Sequence, residues 1–110
     1  MHEQNCIFCK IISGQISSKI IYQTDLSIVL QDIAPQAPIH YLIIPKIHVQ
    51  DLASCTDSVL IADLMSIPAI LADQIGEQTA FKLFTNNGYA AGQRVFHLHF
   101  HFLSGKTFLE

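Results

Sequence analysis

The sequence predicts an α+β fold, a five-stranded antiparallel sheet with one main helix and a short helix near the N-terminus. Three observations predict it. Five short runs are rich in β-branched and aromatic residues and bounded by turn formers, one long stretch carries apolar residues at three- and four-residue spacing, and strand and helix patterns never alternate as βαβ units. With 110 residues, 50% hydrophobic and 14% charged, the chain suits one domain over 1–110 that buries a core or shares an apolar face with a partner copy.

Taken in order, Cys6 to Ile12 carries apolar residues at helical spacing and stops at Ser13-Gly14, which predicts a short helix with a glycine end. Ile20 to Gln23 and Ser27 to Asp32 are rich in Ile and Val, and Thr24-Asp25 between them signals the turn of an antiparallel hairpin. Ala34-Pro35-Gln36-Ala37-Pro38 breaks regular structure, and His40 to Pro45 resumes as a strand. Asp51 to Gln78 holds the helical pattern through Val59, Leu60, Leu64, Ile67, Leu71 and Ile75, with Thr56 or Asp57 as cap and Gly76 near the end. Pro68 lies inside it. An interior proline removes one ladder hydrogen bond and costs about 3 kcal/mol, which predicts a kink or two shorter helices. Phe81 to Thr85 and Val95 to Ser104 complete the five strands.

A formal net charge of −3 with six Lys plus Arg leaves no basic stripe for a phosphate backbone, so long nucleic acid is excluded as a partner. A small anion is compatible, because local donors bind phosphate without net positive charge. Met1-His2-Glu3-Gln4-Asn5 shows no basic segment leading into an apolar stretch, and no window is expected to reach bilayer-spanning length, which predicts a cytoplasmic protein with no membrane partner. Three cysteines cannot all pair in one chain. Cys6-x-x-Cys9 reads as a redox pair or half a zinc site rather than a disulfide framework, and Cys55 as a buried thiol.

Chemistry concentrates near the end of the chain. His97, His99 and His101 alternate with Phe96, Leu98, Phe100 and Phe102, so half of the six histidines fall at period two. On a strand the imidazoles would line one face and the apolar residues anchor the other. Imidazole can be a neutral nucleophile, a proton donor and a hydrogen-bond donor near neutral pH, so the row points to catalysis. Spacing alone also admits a metal site, since same-face strand residues sit ~6.6 Å apart. The preceding loop, Asn86-Asn87-Gly88-Tyr89-Ala90-Ala91-Gly92-Gln93, has two glycines that let N–H groups approach an anion, with Asn86 and Gln93 able to donate from the sides. Such a loop is also an ordinary strand connection. Gly105-Lys106-Thr107 has the ending of a phosphate-binding P-loop, but Phe100 stands where that motif needs its first glycine, which excludes it.

The run His97-Leu-His99-Phe-His101-Phe-Leu, preceded by Gly92-Gln93, resembles the His-x-His-x-His of the histidine triad (HIT) nucleotide-binding proteins. Phe8-Cys-Lys-Ile-Ile, Lys19-Ile-Ile-Tyr, Asp32-Ile-Ala-Pro-Gln-Ala-Pro-Ile-His40 and Ile44-Pro-Lys-Ile-His48 are similar to the HINT-like branch in order and spacing, so the resemblance covers nearly the whole chain. It implies a single HIT domain with the HIT-like fold, a homodimer, and hydrolysis of purine nucleoside 5′-phosphoramidates (adenosine 5′-monophosphoramidase type), with AMP or GMP derivatives as the nucleotide partner. It implies a covalent nucleotidyl-histidine on His99, with His101 and His40 at the α-phosphate and His97 supporting the nucleophile. A backbone carbonyl is expected to orient His99, because no carboxylate accompanies the triad. Asn86, Gly92, Gln93 and Arg94 match phosphate-side positions, Asp32 the ribose-binding acid, and Ile33 a neighbour of the base. No cofactor is implied for catalysis. Cys6, Cys9, His48 and His97 resemble the ligands of a structural zinc in some relatives.

Two other readings share these residues. A dinucleoside polyphosphate hydrolase uses the same triad on a P–O bond, and a nucleotide- or zinc-binding module would show little turnover. His99 argues against the module, since a binder has no need of a nucleophile. Three features depart from the family pattern: Arg94 stands where a small hydroxyl residue is usual, the ending Gly105-Lys-Thr-Phe-Leu-Glu110 lacks a Trp/Pro-rich tail, and Pro68 falls in the helix the family uses for dimer packing.

Overall fold

A computed structural model describes residues 5–77 and 79–109. Helix α1 spans Ile7–Ile12, followed by strands β1 (Ile20–Gln23), β2 (Ser27–Gln31) and β3 (Ile39–Pro45), helix α2 (Ser58–Ile75), and strands β4 (Phe81–Phe84) and β5 (Phe100–Ser104). The strands form one antiparallel sheet in the order β1-β2-β3-β5-β4, the α+β architecture that the residue pattern predicts. A single 3₁₀ turn at Tyr89–Ala91, with no signal of its own in the sequence, sits in the loop before β5.

The two helices cover opposite faces. Val29, Ile43, Phe100 and Phe102 project into a core with Leu60, Leu64, Ile67 and Leu71 of α2. Ile28, Leu30, Leu42 and Ile44, alternating with them, project to the other side and pack with Cys6, Phe8 and Cys9 around α1. Fully burying one Leu or Ile side chain is worth roughly 1.5–3 kcal/mol, so the four buried Leu and Ile side chains of α2 contribute most to holding that helix on the sheet. Leu42 pairs with His101 and His40 with Leu103, which puts both imidazoles on the α1 face, while the α2 face carries the apolar core and a hydrogen bond from the Ser27 hydroxyl to Asp63 of α2 at 2.6 Å.

Two expectations from the sequence, the start of the last strand and the absence of a long apolar window, need correction, and two about the main helix are narrowed. The last strand begins at Phe100 rather than Val95. Extending the β3–β5 register would set Leu98 against Pro45, which has no N–H to offer, and the Leu98 N–H bonds instead to the Val49 carbonyl at 2.6 Å. The main helix runs between the two signals expected of it, Asp57, which caps it by accepting from the N–H groups of Val59 and Leu60 at 3.0 and 3.2 Å, and Gly76, which ends it, so the first residues of the apolar pattern stay outside; Gln78 lies outside the described residues. Of the two outcomes expected at Pro68, division into two helices does not occur: one helix runs through, with the proline buried. That helix is also, by length and composition, apolar enough to cross a membrane, against the expectation that no window would be. Here it lies along the sheet with only part of its surface buried, and Val59 and Met65 stay open to solvent.

Candidate active site

The α1 face of the sheet ends in a cavity of about 630 Å³, walled by Phe8, Ile11, Leu30 and Leu42 and carrying Asp32, His99 and His101. Sequence places the polar residues here for a topological reason. β3 and β5 are adjacent, so His40 and His101 meet across one ladder, while Asp32 leaves the end of β2 beside them.

The hydrogen bonds fix how each neutral imidazole carries its proton. The Gln36 N–H donates to His40 Nδ1 at 3.1 Å, so the His40 hydrogen sits on Nε2. From there it points to His101 Nδ1 at 2.9 Å, with an Asp32 oxygen 3.4 Å away. Since His101 accepts at Nδ1, its own hydrogen occupies Nε2. His99 is fixed from the other side: its Nδ1 donates to the His97 carbonyl at 2.8 Å, the carbonyl anticipated from the absence of a carboxylate. His99 Nε2 therefore keeps a bare lone pair. No buried side-chain nitrogen or oxygen lacks a partner among the described residues, so that unbonded atom is open to the cavity.

Electrostatics keep these rings neutral. Burial lowers the pKa of His40 and of His99, against weaker upward pulls from Asp32 and, for His99, from the His97 carbonyl. His101 is pushed down to about 4, first by burial and then by His99 and His40 beside it. Ring contacts hold the geometry: Phe84 stacks on His101 at 4.6 Å, and Phe8 stands edge-on to His99 at 5.2 Å and to His97 at 5.7 Å.

His97 does not join its two neighbours at the cavity. Its Nε2 donates to the Pro45 carbonyl at 2.8 Å, which turns Nδ1 toward Cys6 Sγ at 3.2 Å and Cys9 Sγ at 3.5 Å, with His48 Nδ1 3.4 Å from Cys9 Sγ. The donor atoms of Cys6, Cys9, His48 and His97 lie within 4.8 Å of one another, and these residues could hold a metal ion. Two thiols and two imidazoles suit tetrahedral zinc, and the Pro45 carbonyl leaves the His97 lone pair turned inward as a ligand needs. Burial pushes the Cys6 thiol up, so a bound cation is what would ionise it. Cys55 is buried in the α2 core, as expected of a structural thiol.

The loop residues divide. Asn86 and Gly92 line the cavity, and Gly92 at φ +100° lets the Asn86 amide come close, within 3.4 Å of where a Cβ would stand. Asp32 lines it too, with Ile33 beside it almost fully exposed. Gln93 corrects the expectation of a ligand donor: it is buried, its amide donates to the carbonyls of Gln50 and Val95 at 2.8 and 3.0 Å, and its oxygen accepts from the Gly88 N–H. It braces the loop. Arg94 lies at the cavity wall, donating from Nη1 to the Tyr89 and Gln93 carbonyls. Sequence reasoning missed Thr85, whose hydroxyl donates to the His99 carbonyl at 2.7 Å, and the main chain of Gln36 and Pro45; none of these three residue types carries a signal for such a bond.

Comparison with known proteins finds a match to the HIT domain model over residues 13–108. An uncharacterized HIT-like protein of Synechocystis is 40% identical, over 96% of this chain and 94% of that protein. Among solved structures, a histidine triad protein from Clostridium difficile superposes with a TM-score of 0.94 at 35% identity, covering 100% of this chain and 98% of that one. A HIT family hydrolase from Clostridium thermocellum gives a TM-score of 0.88 at 40% identity, covering 94% and 93%.

The lowered imidazole pKa values have a consequence for stability. Between about 4 and the ordinary 6.5 the unfolded chain binds more protons than the folded one, so stability rises with pH in that window and is fully present above it. Urea midpoints should fall as pH is lowered from neutral toward 4, and His101→Gln should flatten that dependence. A midpoint independent of pH over this range would show that the rings are not held neutral.

Proposed function

This chain belongs to the HIT family, and we propose that it hydrolyses purine nucleoside 5′-phosphoramidates through a nucleotidyl-histidine intermediate on His99. The observation that carries the proposal is the bare Nε2 of His99, fixed by the His97 carbonyl and open to a cavity that also holds a donor on His101 and a carboxylate on Asp32.

In this reading Asp32 accepts from the ribose hydroxyls and Ile33 lies against the base, while Asn86, the Gly92 backbone and Arg94 border the phosphate. His99 Nε2 attacks phosphorus in line as the P–N bond to the amine breaks. The product imidazolium keeps its Nδ1–H on the His97 carbonyl, which stabilises the charge that develops there. His101, held in that tautomer by His40, donates a hydrogen bond from Nε2–H to the phosphate. The departing nitrogen takes its proton from solvent as the P–N bond breaks, and the water that later attacks phosphorus returns one. Water then replaces His99 on phosphorus and restores the neutral ring.

The reading also places a structural zinc on Cys6, Cys9, His48 and His97, away from the reacting atoms, where it would fix α1 against the loop after β3 and supply no chemistry to the phosphate. It pairs two copies through the exposed face of α2, where Val59 and Met65 lie.

The decisive assay incubates the protein with adenosine 5′-phosphoramidate and, separately, with diadenosine polyphosphates. Amine release should exceed polyphosphate cleavage, rapid quench should trap adenylate on the protein, and His99→Ala should lower kcat by about 10³-fold or more. Undiminished turnover in His99→Ala would refute the mechanism, preference for the polyphosphate would favour cleavage at P–O, and AMP binding without turnover would leave a binding module. For the metal, analysis of the purified protein should find one zinc per chain and none in Cys6→Ser/Cys9→Ser, with a chelator lowering Tm only in the wild type; wild type free of zinc would remove that site. Sedimentation should give twice the chain mass, and a monomer would exclude the α2 pairing.

A further inference from the structure

Charge in the candidate cavity is unevenly distributed. Among the described lining residues Arg94 is the only lysine or arginine, and Asp32 the only carboxylate. With the imidazoles neutral, an anion bound there has one permanent cation on the walls around it, the Arg94 guanidinium.

Arg94 also faces a second space. A cavity of about 540 Å³ adjoins the first across Ile7, Arg94 and Val95, and His48, Gln50 and Phe96 complete much of its lining. No carboxylate lines it among the described residues, although Cys6 and His48 of the candidate metal cluster do.

The guanidinium is held ready. Its Nη1 donates to the carbonyls of Tyr89 and Gln93 at 2.9 and 3.1 Å, and its central carbon lies 4.2 Å from the centre of the Tyr89 ring. Gln93 is itself clamped by three side-chain hydrogen bonds, so the platform under Arg94 is rigid. The Nε and Nη2 donors bond nothing among the described residues, and a guanidinium edge is shaped for two parallel bonds to a carboxylate or a phosphate. Little conformational freedom remains to be lost on binding.

We infer that Arg94 and the second cavity form a leaving-group subsite that selects substrates carrying a further oxyanion a few bonds beyond the scissile phosphorus, a carboxylate on the departing amine being the favoured source. The inference rests on the phosphoramidate reading and narrows its substrate class. A neutral amine offers Arg94 no charge beyond the phosphate that every substrate carries. Arg94 and His99 line the same cavity, so an amine bearing a carboxylate brings that group within the space Arg94 borders when its phosphorus lies at His99. A second phosphate, as in a dinucleoside polyphosphate, offers the same charge from another source.

A matched pair of substrates tests it: the adenosine 5′-phosphoramidates of glycine and of glycinamide differ at the tail only in charge. Wild type should show the higher kcat/KM on the glycine compound. Arg94→Gln should lower the glycine-to-glycinamide ratio about tenfold, Arg94→Lys should keep part of it, and added salt should narrow the wild-type preference. An equal ratio in wild type and Arg94→Gln, with melting temperatures showing both folded, overturns the subsite. A loss on substitution confined to diadenosine triphosphate overturns the carboxylate as its ligand. Glycinamide turnover that disappears in His99→Ala keeps the hydrolase reading intact whichever way the ratio moves. Failure of wild type to turn over either phosphoramidate overturns that reading and the subsite with it.

Discussion

The hydrogen bond from His99 Nδ1 to the His97 carbonyl, 2.8 Å long, sets what the rest of the site can do. It commits one ring nitrogen as donor and leaves the other with its lone pair, so it decides tautomer and aim together. A carboxylate in the same place would fix the same tautomer but would draw the imidazole pKa upward much more strongly. A neutral carbonyl orients the ring at a smaller gain in proton affinity, and burial then carries the pKa below its ordinary value. The resulting ring is neutral and directed, the two properties that in-line attack on phosphorus asks of an imidazole.

For the His97 carbonyl to serve His99, the backbone there must leave the sheet, because a carbonyl inside a ladder is taken by the neighbouring strand. The chain satisfies this by delaying β5 until Phe100 and tying the preceding residues by bonds outside the ladder. Leu98 N–H bonds to the Val49 carbonyl, His97 Nε2 to the Pro45 carbonyl, and the Thr85 hydroxyl to the His99 carbonyl. The end of β3, the loop after it and the end of β4 thus converge on three residues. Proline at 45 suits this arrangement, since it withholds an N–H where a longer ladder would otherwise form and still presents its carbonyl.

Much of this architecture was legible because burial imposes periodicity. The main helix shows itself at Leu60, Leu64, Ile67 and Leu71, which all enter the core. At Ile28-Val29-Leu30 and Leu42-Ile43-Ile44 alternation disappears, since helices cover both faces and every position is apolar; such runs announce a strand but not which side faces what. The histidine row was legible as chemistry, yet its spacing described a continuous strand that the backbone does not form. Gln93 shows the limit most plainly: a polar side chain in a glycine-rich loop reads as a ligand donor, and only the positions of Gln50, Gly88 and Val95 turn it into a brace. The tautomers of His40 and His97 rest on main-chain groups of Gln36 and Pro45, and main-chain groups are the same in every residue type, so no sequence pattern marks them.

Helix α1 joins the two halves of the site. At six residues it is too short to hold itself together, since an isolated helix below about 12 residues is marginal in water. Its position therefore comes from tertiary contacts: Phe8 wedged edge-on against His97 and His99, Cys6 capping the first turn through its sulfur, and Cys9 beside His48 and His97. The same helix supplies Ile7, Phe8 and Ile11 to the cavity wall. One short element thus places apolar wall on one side and two sulfurs on the other, with His97 between them sending its ring toward the sulfurs and its carbonyl toward His99. Whatever fixes those sulfurs fixes α1, and through α1 both the wall of the cavity and the packing around its nucleophilic ring.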